Sequence, residues 1–400
     1  MRVVLTTVGS RGDVEPVIAL ALRLRELGVD VRMCASPDFA ELLDGSGVEF
    51  RPLGRPVRSL VAGAKPPSAQ DAFKIAADLV AERYEVLSAA ARDCDVLVAT
   101  GLMPAGAREA AEKLGIRYVF ACLQPQGLPA PTGPVPGESA TQAEIDDREQ
   151  WDRDAVQRAD ALYRGPLNQQ RALLDLPPVD HVRDHIFTDR PWLAADPVLA
   201  PWPQNGNAVV RTGAWIRPDR RPLPDDLVTF LDAGDPPVYV GFGSMGLHTA
   251  TDVARVAIEA VRGVGRRVVL ASGWADLALI DDRDDCFVVG EVNQQELFRR
   301  VAAVVHHGGA GTTTTTARAG APQVVVAQIG DQPYWARRVA ELGIGVAHAG
   351  TTPTVESLTA ALTTALTGEV RARATAVAGT IRTDGTTVAA DLLHQHREAS

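Results

Sequence analysis

The sequence predicts an α/β protein built from two doubly wound domains, and three observations carry that expectation. Short β-rich runs alternate with amphipathic stretches of helical spacing. The alternation then breaks in Pro-, Gly- and Arg-rich segments, and from residue 225 it starts again. Near-continuous apolar strands in such an alternation are what a parallel sheet covered on both faces requires. The 400 residues suffice for two or three domains of roughly 150 residues each.

In chain order, residues 2–8, 29–35, 48–53, 95–100 and 117–122 read as buried strands. Between them, 16–28, 69–91 and 105–115 carry apolar residues at i, i+3 and i+4, the period of a helix packed on one face. Residues 123–139 are too rich in Pro and Gly for a regular element. That loop follows the C-terminal end of a strand, where open α/β sheets bind ligands. Helical spacing resumes near 141–175, and 176–224 holds few periodic segments. Strands then return at 237–243, 266–272, 286–290, 301–307 and 322–328, with helices between them and helices again over 354–381 and 385–397. The resulting division is 1–205, a linker over 206–224, a second domain over 225–380 and a terminal helix over 381–400, with a ligand cleft between the domains.

Composition narrows the function. The balance of 40 basic against 50 acidic residues disfavours nucleic acid or an anionic membrane as partner, because both need a basic footprint. No apolar run approaches the ~18 residues of a membrane span. The opening MRVVLTTVG lacks the parts of a signal peptide, so the expected location is cytoplasmic. Cys34, Cys94, Cys122 and Cys286 have neither zinc-ligand nor redox spacing and read as buried thiols.

The strongest local signal is the run from His306 to Thr312, His-His-Gly-Gly-Ala-Gly-Thr, which ends a strand and begins a helix. Glycines let backbone amides approach an anion, and a helix N-terminus offers unpaired donors. A diphosphate suits such a turn, with His307 and Thr312 adding donors; a plain strand-to-helix turn capped by Thr312 is the alternative. No Gly-Lys-Ser/Thr follows, so it is not a P-loop. The N-terminal turn Gly9-Ser10-Arg11-Gly12-Asp13 has Thr7 where a dinucleotide fold needs its first glycine. Asp281 to Asp285, with D-x-D spacing, reads as a solvated loop at the wrong end of the sheet. His394 and His396 lack a third ligand nearby in sequence. No metal and no cofactor are expected.

Those residues resemble a known family. The HHGGAGT turn, the following Asp331-Gln332-Pro333 and the N-terminal GSRGD turn are similar to the nucleotide-sugar glycosyltransferases of GT-B fold, above all the vancomycin and teicoplanin type. Residues 241–246, 272–277, 290–298 and 374–393 extend the likeness, which weakens over 123–145. The resemblance implies two Rossmann-like domains facing across a deep cleft, with the last helix crossing back onto the first. It implies that His307, Gly309, Gly311 and Thr312 hold the donor diphosphate and that Asp331 and Gln332 bind sugar hydroxyls. Val292 would read the pyrimidine through its backbone, Trp274 would lie against the base, and Ser10 and Ser244 would sit near the phosphates. Arg11 reads equally as a phosphate ligand or an exposed charge.

Asp13 is the expected general base toward an acceptor hydroxyl. It reads as well as a helix cap, since Ser10 and Asp13 have capping-box spacing. Many members of the wider superfamily carry a histidine near this turn, and this sequence has none there. The implied activity is inverting, metal-independent transfer of glucose or N-acetylglucosamine from a UDP-sugar to a hydroxyl of a heptapeptide aglycone. A dTDP-sugar stays open as donor, and the enzyme is expected to be a monomer. A UDP-sugar epimerase of the same fold and a non-catalytic nucleotide-sugar-binding protein remain alternatives.

Overall fold

The computed structural model describes residues 1–56, 69–101, 103–131, 135–136, 142–203, 208–242, 247–272 and 283–398. It divides into two units, one of residues 1–217 with 382–400 and the other of residues 218–381. Each carries its own parallel sheet. Among the described residues no helix is long and apolar enough to cross a membrane.

The first unit opens with β1 (Arg2–Thr6), α1 (Arg11–Glu26), β2 (Asp30–Ala35) and β3 (Glu49–Pro52). Next come α2 (Ala69–Ala90), β4 (Val96–Ala99), α3 (Ala107–Leu114) and β5 (Arg117–Cys122). A long helical stretch follows, in which α4 (Gln142–Ala159) runs through a π-turn (Asp160–Arg164) into α5 (Gly165–Leu173). Three elements of two to six residues complete the layer: α6 (Val182–Phe187), β6 (Trp192–Leu193) and β7 (Val210–Arg211). The strand order is β3-β2-β1-β4-β5-β6-β7, so the connection reverses direction between β1 and β4. One face of the sheet packs Val4 and Leu97 against Leu87 and Ala91 of the α2 segment and against Ala107 and Ala111 of α3.

The second unit contains α7 (Asp225–Asp232), β8 (Val238–Gly241), α8 (Leu247–Gly263), β9 (Val268–Ala271) and β10 (Cys286–Val289). It continues with α9 (Gln294–Leu297), β11 (Ala303–His306), α10 (Ala310–Ala319), β12 (Gln323–Val325), α11 (Gln332–Glu341) and β13 (Gly345–Ala347). Helices α12 (Val355–Ala365) and α13 (Gly368–Ala378) end it. The order β10-β9-β8-β11-β12-β13 puts a second reversal between β8 and β11. Alternation along β8 explains why the strand is apolar throughout. Val238 and Val240 pack with Ile258, Val261 and Leu362, whereas Tyr239 turns to Leu227, Leu297 and Phe298 on the opposite face. Each fully buried Val or Leu contributes about 1.5–3 kcal/mol.

From Arg382 the chain returns to the first unit, where α14 (Gly385–Glu398) packs against α1. The Arg382 amide donates to Asp196 Oδ2 at 2.8 Å. A Cβ on Gly385 would stand 2.3 Å from the Ala214 carbonyl oxygen, so only glycine permits this approach.

The structure differs from the sequence reading in several elements. Strands β6, β7 and β13 and helix α6 were not anticipated, because two to six residues are too few to show a period. β7 lies inside the stretch read as linker, and the units divide at Arg217/Pro218. Helix α1 begins at Arg11, not at Pro16, since the Ser10–Asp13 interaction starts a turn that carries no apolar pattern. Of the cysteines, three are buried, whereas Cys286 is half-buried.

Candidate active site

Both sheets present their reversal point at the C-terminal ends of adjacent strands, where doubly wound folds open a crevice for ligands. Each unit therefore carries its own candidate crevice.

In the first unit, β1 runs out at Thr6 and the chain turns through Gly9 into α1. Asp13 is the third residue of that helix, and its Oδ2 accepts from the Ser10 amide at 2.8 Å and the Ser10 hydroxyl at 3.1 Å. The Thr7 hydroxyl donates to the Asp13 carbonyl at 3.3 Å. A Cβ on Gly9 would fall 2.2 Å from Asp13 Oδ2, so a glycine at this position lets the carboxylate fold back under the turn. The half-buried Asp13 lines a cavity of about 230 Å³ together with Thr6, Thr7, Thr100, Arg83 and Tyr163. The cap thus fixes the carboxylate at the cavity wall. Arg11 is exposed, and Glu15 accepts from its Nε at 3.1 Å and its Nη2 at 2.9 Å, which places its charge along α1.

In the second unit, β11 ends at His306 and α10 starts at Ala310 with Gly309 as its N-cap. His306 is fully buried; its Nε2 faces Gln323 Oε1 at 2.9 Å and its Nδ1 accepts from the Gly308 amide at 3.1 Å. Those partners fix a neutral ring with the proton on Nε2. Burial, reinforced by His307 and opposed by Gln323, pushes its pKa down to about 3. Between about 6.5 and 3 the unfolded chain binds a proton that folded His306 refuses. Stability is therefore expected to fall as pH drops through that window, and His306→Asn should flatten the slope. Urea unfolding at pH 7, 6 and 5 of both proteins checks this; equal slopes would remove His306 from the account.

His307 is half-buried, and burial lowers its pKa with the Gly241 carbonyl working the other way. Its Nδ1 makes no hydrogen bond of standard geometry to a described residue. Gly308 needs φ +92, and a Cβ there would lie 2.8 Å from Val325 Cγ1. At exposed Gly311 a Cβ would meet nothing, which leaves open space at the helix start. The amides of Ala310, Gly311 and Thr312 precede the first main-chain bond of α10, from Thr313 to Gly309. The threonine run serves the helix itself: Thr313, Thr314 and Thr316 donate to the carbonyls four residues back at 2.7–2.9 Å.

Asp331 stands at the N-terminal boundary of α11 without a side-chain capping bond, and its Oδ2 accepts from the Trp335 indole at 2.6 Å. Burial raises its pKa, and the indole donor opposes the rise. The Gln332 oxygen accepts from the amides of Gln328 at 2.8 Å and Ile329 at 3.2 Å, which directs its remaining capacity into donation. Val292 is half-buried, and among the described residues its backbone makes no hydrogen bond. The next residue, Asn293, caps α9 by accepting from the Glu296 amide at 3.1 Å. Its own amide donates to the carbonyls of Asp219 and Arg221, at 3.1 and 2.8 Å. That cap was legible as Asn-x-x-Glu.

Ser244, Trp274, Asp281 and Asp282 lie outside the described residues, as does the side chain of His396. Asp285 precedes β10 and pairs with Arg262 at 2.6 Å, as a structural loop would. The sequence reading missed Thr6, Thr100, Arg83 and Tyr163, which come from four separated segments and carry no motif. It also missed a group around the buried Glu109, in which one oxygen or nitrogen each of Glu109, Glu112 and His185 lie within 4.8 Å of one another. Arg171 supplies positive charge there, at 2.9 Å from Glu109 and 2.8 Å from Glu112.

Residues 3–123 match the glycosyltransferase family 28 N-terminal domain, and residues 263–388 match the erythromycin biosynthesis protein CIII-like C-terminal domain. Three proteins of Amycolatopsis orientalis are similar along nearly the whole chain. Glycosyltransferase GtfE is 57% identical over 98% of this chain and 97% of its own. A vancomycin aglycone glucosyltransferase is 56% identical with the same coverage. A dTDP-epi-vancosaminyltransferase is 52% identical over 94% of this chain and 92% of its own. Among solved structures, the glycosyltransferase of kitacinnamycin superposes with a TM-score of 0.74 at 20% identity, covering 98% of both chains. Glycosyltransferase VinC in complex with dTDP gives 0.67 at 20% identity, covering 98% and 99%. At that identity the structures show the shared GT-B fold alone.

Proposed function

This chain belongs to the vancomycin-type glycopeptide glycosyltransferases, and on that premise we propose that it transfers glucose from UDP-glucose to a hydroxyl of a glycopeptide aglycone, with inversion and without a metal. Glucose is preferred to a deoxyaminosugar because Asp331 and Gln332 are both present to bind hydroxyls, and because the glucosyltransferase relative is somewhat more similar than the vancosaminyltransferase.

The observation that carries the reading is the turn from His307 to Thr312, where among the described residues the amides of Ala310, Gly311 and Thr312 have no main-chain partner and open space lies at Gly311. A leaving diphosphate there meets the positive end of a ten-residue helix and a neutral donor, a charge-stabilising arrangement that needs no cation. The Val292 backbone is available to read a pyrimidine edge. Asp13 takes the proton from the acceptor hydroxyl, which attacks the anomeric carbon as the C–O bond to the diphosphate breaks.

Calorimetric titration of UDP and dTDP tests the donor half. UDP is expected to bind at micromolar strength, about −8 kcal/mol. His307→Ala should weaken it about ten- to a hundredfold, the worth of one hydrogen bond to a charged group. Absence of binding by either nucleotide would end the donor reading, and turnover of vancomycin aglycone with UDP-glucose tests the whole.

A further inference from the structure

The cavity beside Asp13 holds a cation that the reaction just described does not use. Arg83 is 7% exposed, lies on α2 and reaches the cavity wall. Its one hydrogen bond among the described residues goes from Nη1 to the Ala105 carbonyl, and no carboxylate there is within ion-pairing distance. Its nearby acids are committed elsewhere: Glu109 to Arg171 and His185, and Glu82 to the Gly54 amide. Burial accordingly lowers its pKa, with Tyr163, Tyr118, Glu82 and Glu109 opposing through space. On the same wall, the Thr6 hydroxyl is buried and, among the described residues, without a partner. The π-turn brings Tyr163 to the cavity as well; such turns occur frequently at functional sites.

A buried guanidinium with donors to spare costs free energy unless an acceptor reaches it. We infer that Arg83 and the Thr6 hydroxyl form an oxyanion subsite that receives a negatively charged oxygen of the acceptor. The inference rests on the glycosyl-transfer reading. Two oxygens of a peptide acceptor fit this chemistry: its terminal carboxylate, or the reacting oxygen as Asp13 removes its proton. The first makes Arg83 a residue of acceptor specificity, and the second makes it a stabiliser of the attacking oxyanion.

The test uses the full chain with UDP-glucose, vancomycin aglycone and the carboxyl methyl ester of that aglycone. Arg83→Gln is expected to lower kcat/KM for the aglycone at least tenfold, with UDP affinity unchanged and Arg83→Lys restoring part of the loss. Thr6→Val, nearly isosteric, should lower it in the same direction without loss of stability. If the oxygen is the carboxylate, the loss is in KM, the wild type discriminates against the ester, and Arg83→Gln does not. If it is the attacking oxygen, acid and ester react alike, the loss is in kcat, and the pH at which the rate levels off moves up. Values within twofold of wild type in Arg83→Gln and Thr6→Val would overturn the subsite. So would a loss in Arg83→Gln that Arg83→Lys leaves unrelieved and Thr6→Val does not share. A wild type that turns over no acceptor would count against glycosyl transfer instead, and aglycone affinity in the same variants would then decide the subsite.

Discussion

Asp13→Asn is expected to cut kcat by about 10²–10⁴-fold, the range a positioned general base supplies, with UDP affinity close to wild type. The substitution separates chemistry from capping because the amide keeps one oxygen. That oxygen can still accept from the Ser10 amide and hydroxyl, which now approach Oδ2 at 2.8 and 3.1 Å. The charge lost from the first turn of α1 costs about 0.3–1 kcal/mol, too little to unfold the unit. Steady-state kinetics, UDP calorimetry and a melting curve together read the outcome. A large fall in UDP affinity, or a loss of several kcal/mol of stability with kcat retained, would assign Asp13 to the cap alone.

The position of Asp13 beside a strand end was legible because it belongs to a short motif. The same holds for His307, Gly309 and Thr312, where β11 runs directly into α10. Strands buried on both faces announce themselves as apolar runs, so β1, β2, β4, β5, β8, β9, β11 and β12 could be found from sequence, and the less buried β3 and β10 were legible as well. What escaped was whatever depends on contact between distant segments. Gln323 and Trp335 fix His306 and Asp331, yet nothing in the sequence couples them. Arg83 sits in an ordinary helical pattern, and its meaning appears only when β1, β4 and the π-turn close a cavity around it. Arg11 shows the reverse: a charge in a motif that the fold pairs with its own helix.

The largest stability effect is expected at Arg171, far in sequence from every motif. Glu109 is fully buried, and its Oε1 accepts from Arg171 at 2.9 Å and faces His185 Nε2 at 2.7 Å, while Oε2 accepts from the Gly106 amide at 3.1 Å. Arg171 also donates to Glu112 at 2.8 Å and to the Pro177 carbonyl at 2.6 Å, so one side chain joins α3, α5 and the segment before α6. Burial alone would raise the Glu109 pKa; His185 and Arg171 outweigh it and hold the carboxyl below its ordinary value. Removing the cation strands a buried charge, which costs about 3–5 kcal/mol. Arg171→Met is therefore expected to lose that much at pH 7.5 in urea unfolding. The sign with pH follows. Stability conferred by a depressed carboxyl is present above its unfolded value, about 4.5, and disappears as pH falls through the lower folded value. The gap between wild type and variant should accordingly narrow toward pH 4, where the stranded carboxyl takes up a proton. Adding Glu109→Gln to Arg171→Met should recover part of the loss at pH 7.5, because the unpaired charge is gone. A cost below about 1 kcal/mol, or one that does not change with pH, would mean that water reaches the cluster and that packing, not charge, joins these helices.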